Sequence, residues 1–298
     1  MQFLNLRPDG RYIDATFGAG GHTRELLERT APGGRVLAID QDETAIERGR
    51  IELQSYGSRL ELVKANFREI ESIVQEHGFA GLDGILADVG VSSMMLDDPT
   101  RGFSFMREGP LDMRMDLDQP LTAADVLNTY SEKEIANILF NYGEERRSRQ
   151  IASSIVRSRP LSRTTDLARA IERVLGGRRY GKIHPATRTF QAMRIFVNDE
   201  LRSLESFLDS SMKVLRPGGR LVLISFHSLE DRIVKRTLLK LSGRCQCPPR
   251  FPQCVCGAVS VVEILTRRPI APTDEEIEEN PRARSAKLRA ARKLSDEN

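Results

Sequence analysis

No apolar run in the 298-residue chain approaches the roughly 20 residues that a helical membrane span requires. The first residues, Met1-Gln2-Phe3-Leu4-Asn5-Leu6-Arg7-Pro8, have no charged segment ahead of an apolar core, so no signal peptide is read and a cytoplasmic location is expected. Internal repeats are absent. Cysteine is scarce: four in all, every one between Cys245 and Cys256. The stretch Ser225-Phe226-His227-Ser228-Leu229-Glu230-Asp231-Arg232 has serine, histidine and acid, but no nucleophile elbow presents them, which excludes a hydrolase reading. The glycine turn Gly18-Ala19-Gly20-Gly21-His22-Thr23 has threonine where the dinucleotide fingerprint G-x-G-x-x-G needs its last glycine. What remains is ordinary for a globular protein, with 40% hydrophobic and 29% charged residues.

The segment Tyr12-Ile13-Asp14-Ala15-Thr16-Phe17-Gly18-Ala19-Gly20-Gly21-His22-Thr23, followed by Arg35–Asp40, reads as strand, glycine turn, helix and a second strand ending in a carboxylate. This is the first half of a nucleotide-binding α/β fold. Asp40, 20 residues after Gly20, sits where an acid can accept hydrogen bonds from both ribose hydroxyls. NAD needs its pyrophosphate on the helix N-terminus. S-adenosylmethionine has no phosphate and needs only a glycine-floored slot for its amino-acid half, which Asp14 suits. His22 follows the turn and can cap the helix or contact the cofactor carboxylate. Phe67 is placed to flank an adenine ring or to fill the core. Asp88, leaving the fourth strand, can accept a hydrogen bond from an exocyclic amine and align it on the methyl; it stands equally as a capping aspartate. His227 and Ser228 are candidates to contact substrate.

Strand-like runs at Arg11–Asp14, Arg35–Asp40, Leu60–Lys64, Gly84–Val89 and Arg220–Phe226 alternate with helices at Thr23–Arg29 and Glu43–Ser55, implying a mostly parallel sheet. About 130 residues separate the last two strands, so a domain is inserted. The expected division is 1–116 and 199–298 for the core, and 117–198 for an inserted helical domain. Its helices are expected at Thr122–Leu127, Ser131–Phe140, Arg146–Ser158 and Thr165–Leu175, with Ser131 and Glu134 as a capping box.

Net charge is only +3, but from Glu144 to Arg194 thirteen Arg/Lys face four Asp/Glu. Twelve of the thirteen are arginine, the bidentate phosphate donor. A second basic run, Arg282, Arg284, Lys287, Arg289, Arg292 and Lys293, forms a basic tail. One-sided excess of this length favours a polyanion, nucleic acid, over solvated helix faces. The cysteines Cys245, Cys247, Cys254 and Cys256 form C-x-C-x6-C-x-C, which suits tetrahedral zinc and equally describes reduced thiols in a proline-rich loop; no metal ligand is assigned.

Eight motifs in order resemble the ribosomal RNA small subunit methyltransferase H (MraW) family. They are Asp14-Ala-Thr-Phe-Gly-Ala-Gly-Gly-His-Thr, Asp88-Val-Gly-Val-Ser-Ser, Arg101-Gly-Phe-Ser-Phe-Met, Gly109-Pro-Leu-Asp-Met-Arg-Met, Tyr142-Gly-Glu-Glu, His184-Pro-Ala-Thr-Arg-Thr-Phe-Gln-Ala, Ile224-Ser-Phe-His-Ser-Leu-Glu-Asp-Arg and Asn280-Pro-Arg-Ala-Arg-Ser. The resemblance spans almost the whole chain. It implies a class I S-adenosylmethionine-dependent methyltransferase with a Rossmann-like sheet, acting on the exocyclic N4 of a cytosine in the decoding region of small-subunit (16S) rRNA. It implies that Gly20, Gly21, His22, Asp40, Phe67 and Asp88 contact S-adenosylmethionine, with Asp88 also the candidate catalytic residue. The implied partner is small-subunit rRNA in an assembled or assembling small ribosomal subunit, with a homodimer left open and no membrane. A family cofactor position that is often glutamine, in a Val-Ser-Ser-Pro-Gln run, is Met95 here. The family usually carries a His-x-Pro-Val-Leu-Leu segment before the first strand, and this chain starts after it. The Asn/Asp-Pro-Pro-aromatic motif of amino methyltransferases is absent; Phe103, Phe105 and Pro110–Arg114 are positioned to replace it or to pack the loop. Two rivals remain: a NAD-dependent oxidoreductase, favoured by Asp40 and opposed by Thr23 and the basic insertion, and an rRNA-binding assembly factor without catalysis.

Overall fold

The computed structural model describes residues 1–176, 184–245, 247 and 255–295. The chain divides into two compact units, Met1–Gly90 with Leu201–Asn298, and Val91–Glu200.

The first unit is built on seven strands: β1 Arg11–Asp14, β2 Arg35–Asp40, β3 Leu60–Lys64, β4 Leu82–Asp88, β5 Leu215–Ser225, β6 Val262–Ile264 and β7 Lys287–Lys293. The sheet order is β3-β2-β1-β4-β5-β7-β6. β1 to β5 run parallel, and β7 is antiparallel between β5 and β6. Burial on both faces explains the near-continuous apolar runs Val36-Leu37-Ala38-Ile39 and Ile85-Leu86-Ala87, all at most 2% exposed. The expected strand limits need small changes. β4 begins at Leu82, and β5 begins at Leu215 with a register shift: Leu82 pairs with Leu215 but Gly84 with Arg220, so Arg216-Pro217-Gly218-Gly219 bulges out.

In chain order the helices of this unit are α1 Gly21–Arg29, α2 Glu43–Glu52 and α3 Ile70–Glu76, with α10 Glu200–Val214, α11 Ser228–Leu241 and α12 Asp274–Glu279 after the second unit. Leu204, Phe207, Leu208 and Met212 of α10 join Ile13, Leu37, Ile39, Ile85 and Leu223 in one apolar cluster. The sheet order reverses between β1 and β4, so the crevice at their carboxyl ends is where an open α/β sheet accepts ligands.

The second unit contains α4 Ser93–Asp97, α5 Ala123–Thr129, α6 Glu132–Gly143, α7 Ser148–Arg157, α8 Thr164–Leu175 and α9 Thr187–Val197. The capping box of Ser131 and Glu134 forms as expected, with Ser131 N donating to Glu134 Oε2 at 2.8 Å. The insertion was expected at 117–198, whereas this unit begins at Val91. Packing explains the difference: Met95, Phe103, Leu111, Met113 and Met115 belong to the same apolar cluster as Leu127, Ile151 and Ile171. The segment 98–122 has little helical periodicity, so its membership is invisible to pattern reading.

The expected basic tail is a correction. Lys287–Lys293 is a strand inside the sheet, with Ala290 and Ala291 fully buried and Arg289 only 7% exposed. Arg289 pairs with Asp231 at 2.7 Å and Arg292 with Glu263 at 2.5 Å, while Lys293 Nζ donates to the Leu215 carbonyl at 2.9 Å. These cations are taken up within the first unit.

Candidate active site

Three carboxylates stand at the carboxyl edge of the sheet: Asp14 ends β1, Asp40 ends β2 and Asp88 ends β4. Between Asp14 and α1 the chain turns through Gly18 and Gly20, both in the left-handed region with φ of 52° and 77°. A Cβ at Gly20 would meet the Phe17 ring at 2.8 Å, so that position also needs glycine sterically. A Cβ at Gly21 would meet no atom within 4 Å. Gly21 therefore opens α1 on empty space, the floor that a close-lying ligand needs.

Asp14 is fully buried. Its Oδ2 accepts from Thr23 Oγ1 at 2.7 Å and its Oδ1 from Thr16 N at 3.2 Å. Burial pushes its carboxyl up to about 6, against lowering by His22 and Thr23. The expectation that Asp14 lines the cofactor slot is corrected: it braces the glycine turn from beneath. Thr23, where a dinucleotide site would have glycine, is the strut. Asp40 accepts from Gly18 N at 2.7 Å and from Asp42 N at 2.9 Å, so it also fixes the turn. Burial raises its carboxyl above the ordinary range. Each oxygen has a second lone pair, which leaves Asp40 able to accept from a diol.

Asp88 is held by its backbone, whose N–H donates to Thr16 Oγ1 at 2.7 Å. Thr16 thus links β1 to β4, a role no sequence signal marked. Asp88 Oδ2 lies 3.5 Å from His22 Nε2. Asp88 Oδ1 is buried and has no hydrogen-bond partner among the described residues. A buried acceptor left unmade costs about 1–3 kcal/mol, so it calls for a donor. His22 is raised above its usual value, chiefly by the hydrogen bond to Asp88, against the effect of burial. The structure therefore brings together His22 and Asp88 directly, with Gly20 and Gly21 on the turn that precedes His22 and Asp40 bonded to that turn through Gly18 N. Phe67, just beyond β3, is half-buried and packs edge-on against Phe207 with ring centroids 5.0 Å apart.

Other candidates are placed elsewhere. His227 caps α11: its Nδ1 accepts from Glu230 N at 3.4 Å, and Glu230 Oε2 accepts from Phe226 N at 2.8 Å. In this position it starts a helix. Met95 is 5% exposed in the apolar cluster of the second unit. Phe103 is buried there too, and Phe105 stacks on His184 at 4.6 Å and meets Phe190 edge-on at 5.1 Å. Phe103, Phe105, Leu111 and Met113 thus pack in the second unit, while Met106 and Pro110 are exposed. Sequence reading missed Asn198, whose amide accepts from Met115 N at 2.7 Å and donates to the Met113 carbonyl at 2.8 Å, holding Met113 at φ 62°.

On the second unit, Arg149 and Arg157 stand two turns apart on α7, with Arg146 just ahead of it; all three are exposed. Arg169 and Arg173 are exposed one turn apart on α8, and Arg173 Nη1 donates to Ser158 Oγ at 3.0 Å. Arg159 turns inward to the carbonyls of Leu127 and Tyr130, and Arg194 pairs with Glu200 at 2.8 Å. Arg178, Arg179 and Lys182 lie outside the described residues, as does Cys254.

A parallel sheet with one antiparallel strand between β5 and β6, a glycine turn after β1 and an acid closing β2 define a class I methyltransferase, with S-adenosylmethionine as methyl donor. The orphaned Asp88 oxygen and the open face at Gly21 fit that ligand. The profile of the MraW methylase family matches residues 1–294, and the chain belongs to this family. It is 50% identical over 298 residues to the ribosomal RNA small subunit methyltransferase H of Carboxydothermus hydrogenoformans, covering 99% of this chain and 95% of that one. It is 51% identical over 298 residues to the protein of the same name from Geobacter sulfurreducens, covering 99% and 96%. The protein of that name from Dehalococcoides mccartyi is 51% identical over 294 residues, covering 99% and 84%.

Proposed function

We propose that the protein methylates the exocyclic N4 of a cytosine in the decoding region of small-subunit rRNA, working in the cytoplasm on an assembled or assembling small subunit. The target RNA follows from the names of its relatives and from the family resemblance. The observation that carries the chemistry is Asp88 Oδ1 at the end of β4, buried and without a hydrogen-bond partner among the described residues.

S-adenosylmethionine supplies an electrophilic methyl group on a sulfonium. The N4 lone pair of cytosine is delocalised into the ring and is a poor nucleophile. Asp88 accepts a hydrogen bond from N4, which localises that lone pair and orients it, and takes up the proton as the N–C bond forms and the C–S bond breaks. His22, 3.5 Å away, holds the carboxylate in place. In this reading Gly20 and Gly21 give the cofactor backbone access, Asp40 accepts from its ribose, and Phe67 flanks its adenine. The exposed arginines of α7 and α8 grip the RNA backbone, while a cytosine in an rRNA loop is free to leave its stack.

The test is to incubate the protein with methyl-labelled S-adenosylmethionine and small ribosomal subunits from a strain lacking this gene, then digest to nucleosides and identify the label by mass spectrometry. Label on N4-methylcytidine is expected. Label on another nucleoside, or none while the cofactor still binds, overturns the assignment.

A further inference from the structure

The chain's entire cysteine complement lies within twelve residues, between α11 and β6, and the methyl-transfer chemistry uses none of it. The Sγ atoms of Cys245, Cys247 and Cys256 all lie within 4.8 Å of one another, and Cys245 and Cys256 are 3.8 Å apart. A disulfide would require about 2.0 Å. Sulfurs bound about 2.3 Å from a tetrahedral zinc stand about 3.8 Å apart, the edge of that tetrahedron. The backbone is turned toward the sulfurs as well: Cys247 N donates to Cys245 Sγ at 3.4 Å and Val255 N to Cys247 Sγ at 3.4 Å.

We propose that Cys245, Cys247 and Cys256 bind one structural Zn²⁺ that ties the loop after α11 to the entry of β6. Thiolate ligands select a soft or borderline cation over magnesium or calcium. Binding displaces the thiol protons, so affinity falls as pH drops. Cys254 lies outside the described residues, and the proposal rests on the other three.

The full chain, purified under reducing conditions without a histidine tag, is expected to retain about one zinc per molecule through dialysis against a mild chelator. Titration with an organomercurial should release that zinc in step with thiol modification. Replacement by cobalt should give the intense visible bands of tetrahedral thiolate coordination. Cys245→Ser, Cys247→Ser and Cys256→Ser should each lose most of the zinc. Wild-type protein without zinc, or cobalt spectra lacking thiolate bands, overturns the proposal even if the serine variants fail to fold. Loss of titratable thiols without bound metal overturns it in favour of a disulfide.

Discussion

At the scale of single residues, the three carboxylates at the sheet edge divide by burial. Asp14 is sealed under the glycine turn, Asp40 accepts one amide from that turn and one from the turn after β2, and of the three only Asp88 keeps a buried oxygen without a partner among the described residues. Asp88→Ala is therefore expected to lower turnover by roughly 10²–10⁴-fold, as removal of a positioned base does, and to reduce methyl transfer at least as far as cofactor binding. Single-turnover methylation beside a binding titration measures both; unchanged turnover sinks the role of Asp88. Asp14 predicts something different. Its folded value of about 6 exceeds the unfolded 3.8. Between those values the folded state holds the proton more tightly, so this group's contribution falls as pH rises, by on the order of 3 kcal/mol across the window. Asp14→Asn should remove that slope. Denaturant unfolding of both proteins from about pH 4 to 7 tests it, and parallel curves would mean that Asp14 titrates normally.

At the scale of elements, β7 is the strand whose sequence, Lys-Leu-Arg-Ala-Ala-Arg-Lys, least resembles one. Alanine is a weak strand former, and context decides its state. The sheet accepts β7 because Ala290 and Ala291 are small enough to be sealed and because Asp231 meets Arg289. Burial pushes Asp231 up, and its bonds to Arg289 and Lys287 more than reverse the push, leaving it below the ordinary range. Arg289→Ala removes the nearer of the two cations beside Asp231, leaving Lys287 at 3.5 Å, and is expected to cost about 1–3 kcal/mol, read by denaturant unfolding at neutral pH. The five parallel strands were legible because a sheet buried on both faces writes apolar runs into the sequence, and the capping box of α6 was legible because Ser131 and Glu134 act locally. β6, β7 and the membership of 91–116 in the second unit were not, since each depends on partners far away in the chain. The candidate site was legible as glycines and strand-end acids; burial, which separates Asp14 from Asp88, was not. Nor was Asn198, whose side chain serves Met113 and Met115 from more than 80 residues away. Asn198→Ala should leave those two buried backbone groups unmatched and cost about 2–4 kcal/mol, with the left-handed Met113 aggravating the loss. A cost under about 1 kcal/mol in the same measurement would show that water replaces the amide.

At the scale of the whole molecule, a net charge of +3 hides an uneven distribution. The cations of β7 are absorbed by Asp231, Glu263 and a backbone carbonyl. Those of α7 and α8 are not: Arg146, Arg149, Arg157 and Arg169 are exposed and have no ion pair among the described residues. Opposed charges inside a protein stabilise it; exposed charges of one sign raise its self-repulsion, so their presence argues for a polyanion that neutralises them. Each arginine that meets a phosphate releases condensed counterions, which makes affinity fall linearly on a log–log plot against salt, by about 0.7 per contact on single-stranded RNA. Replacing Arg149, Arg157 and Arg169 together with alanine is expected to flatten that slope by about 2 and to weaken RNA binding most at low salt. Affinity for S-adenosylmethionine should be unchanged, because the residues proposed to hold it all lie in the first unit. Filter binding of small-subunit rRNA across a salt series, with the cofactor titrated in parallel, checks both. A slope equal to that of the parent protein would mean that these helices do not touch the phosphates, and the RNA-binding face would then have to be sought outside α7 and α8.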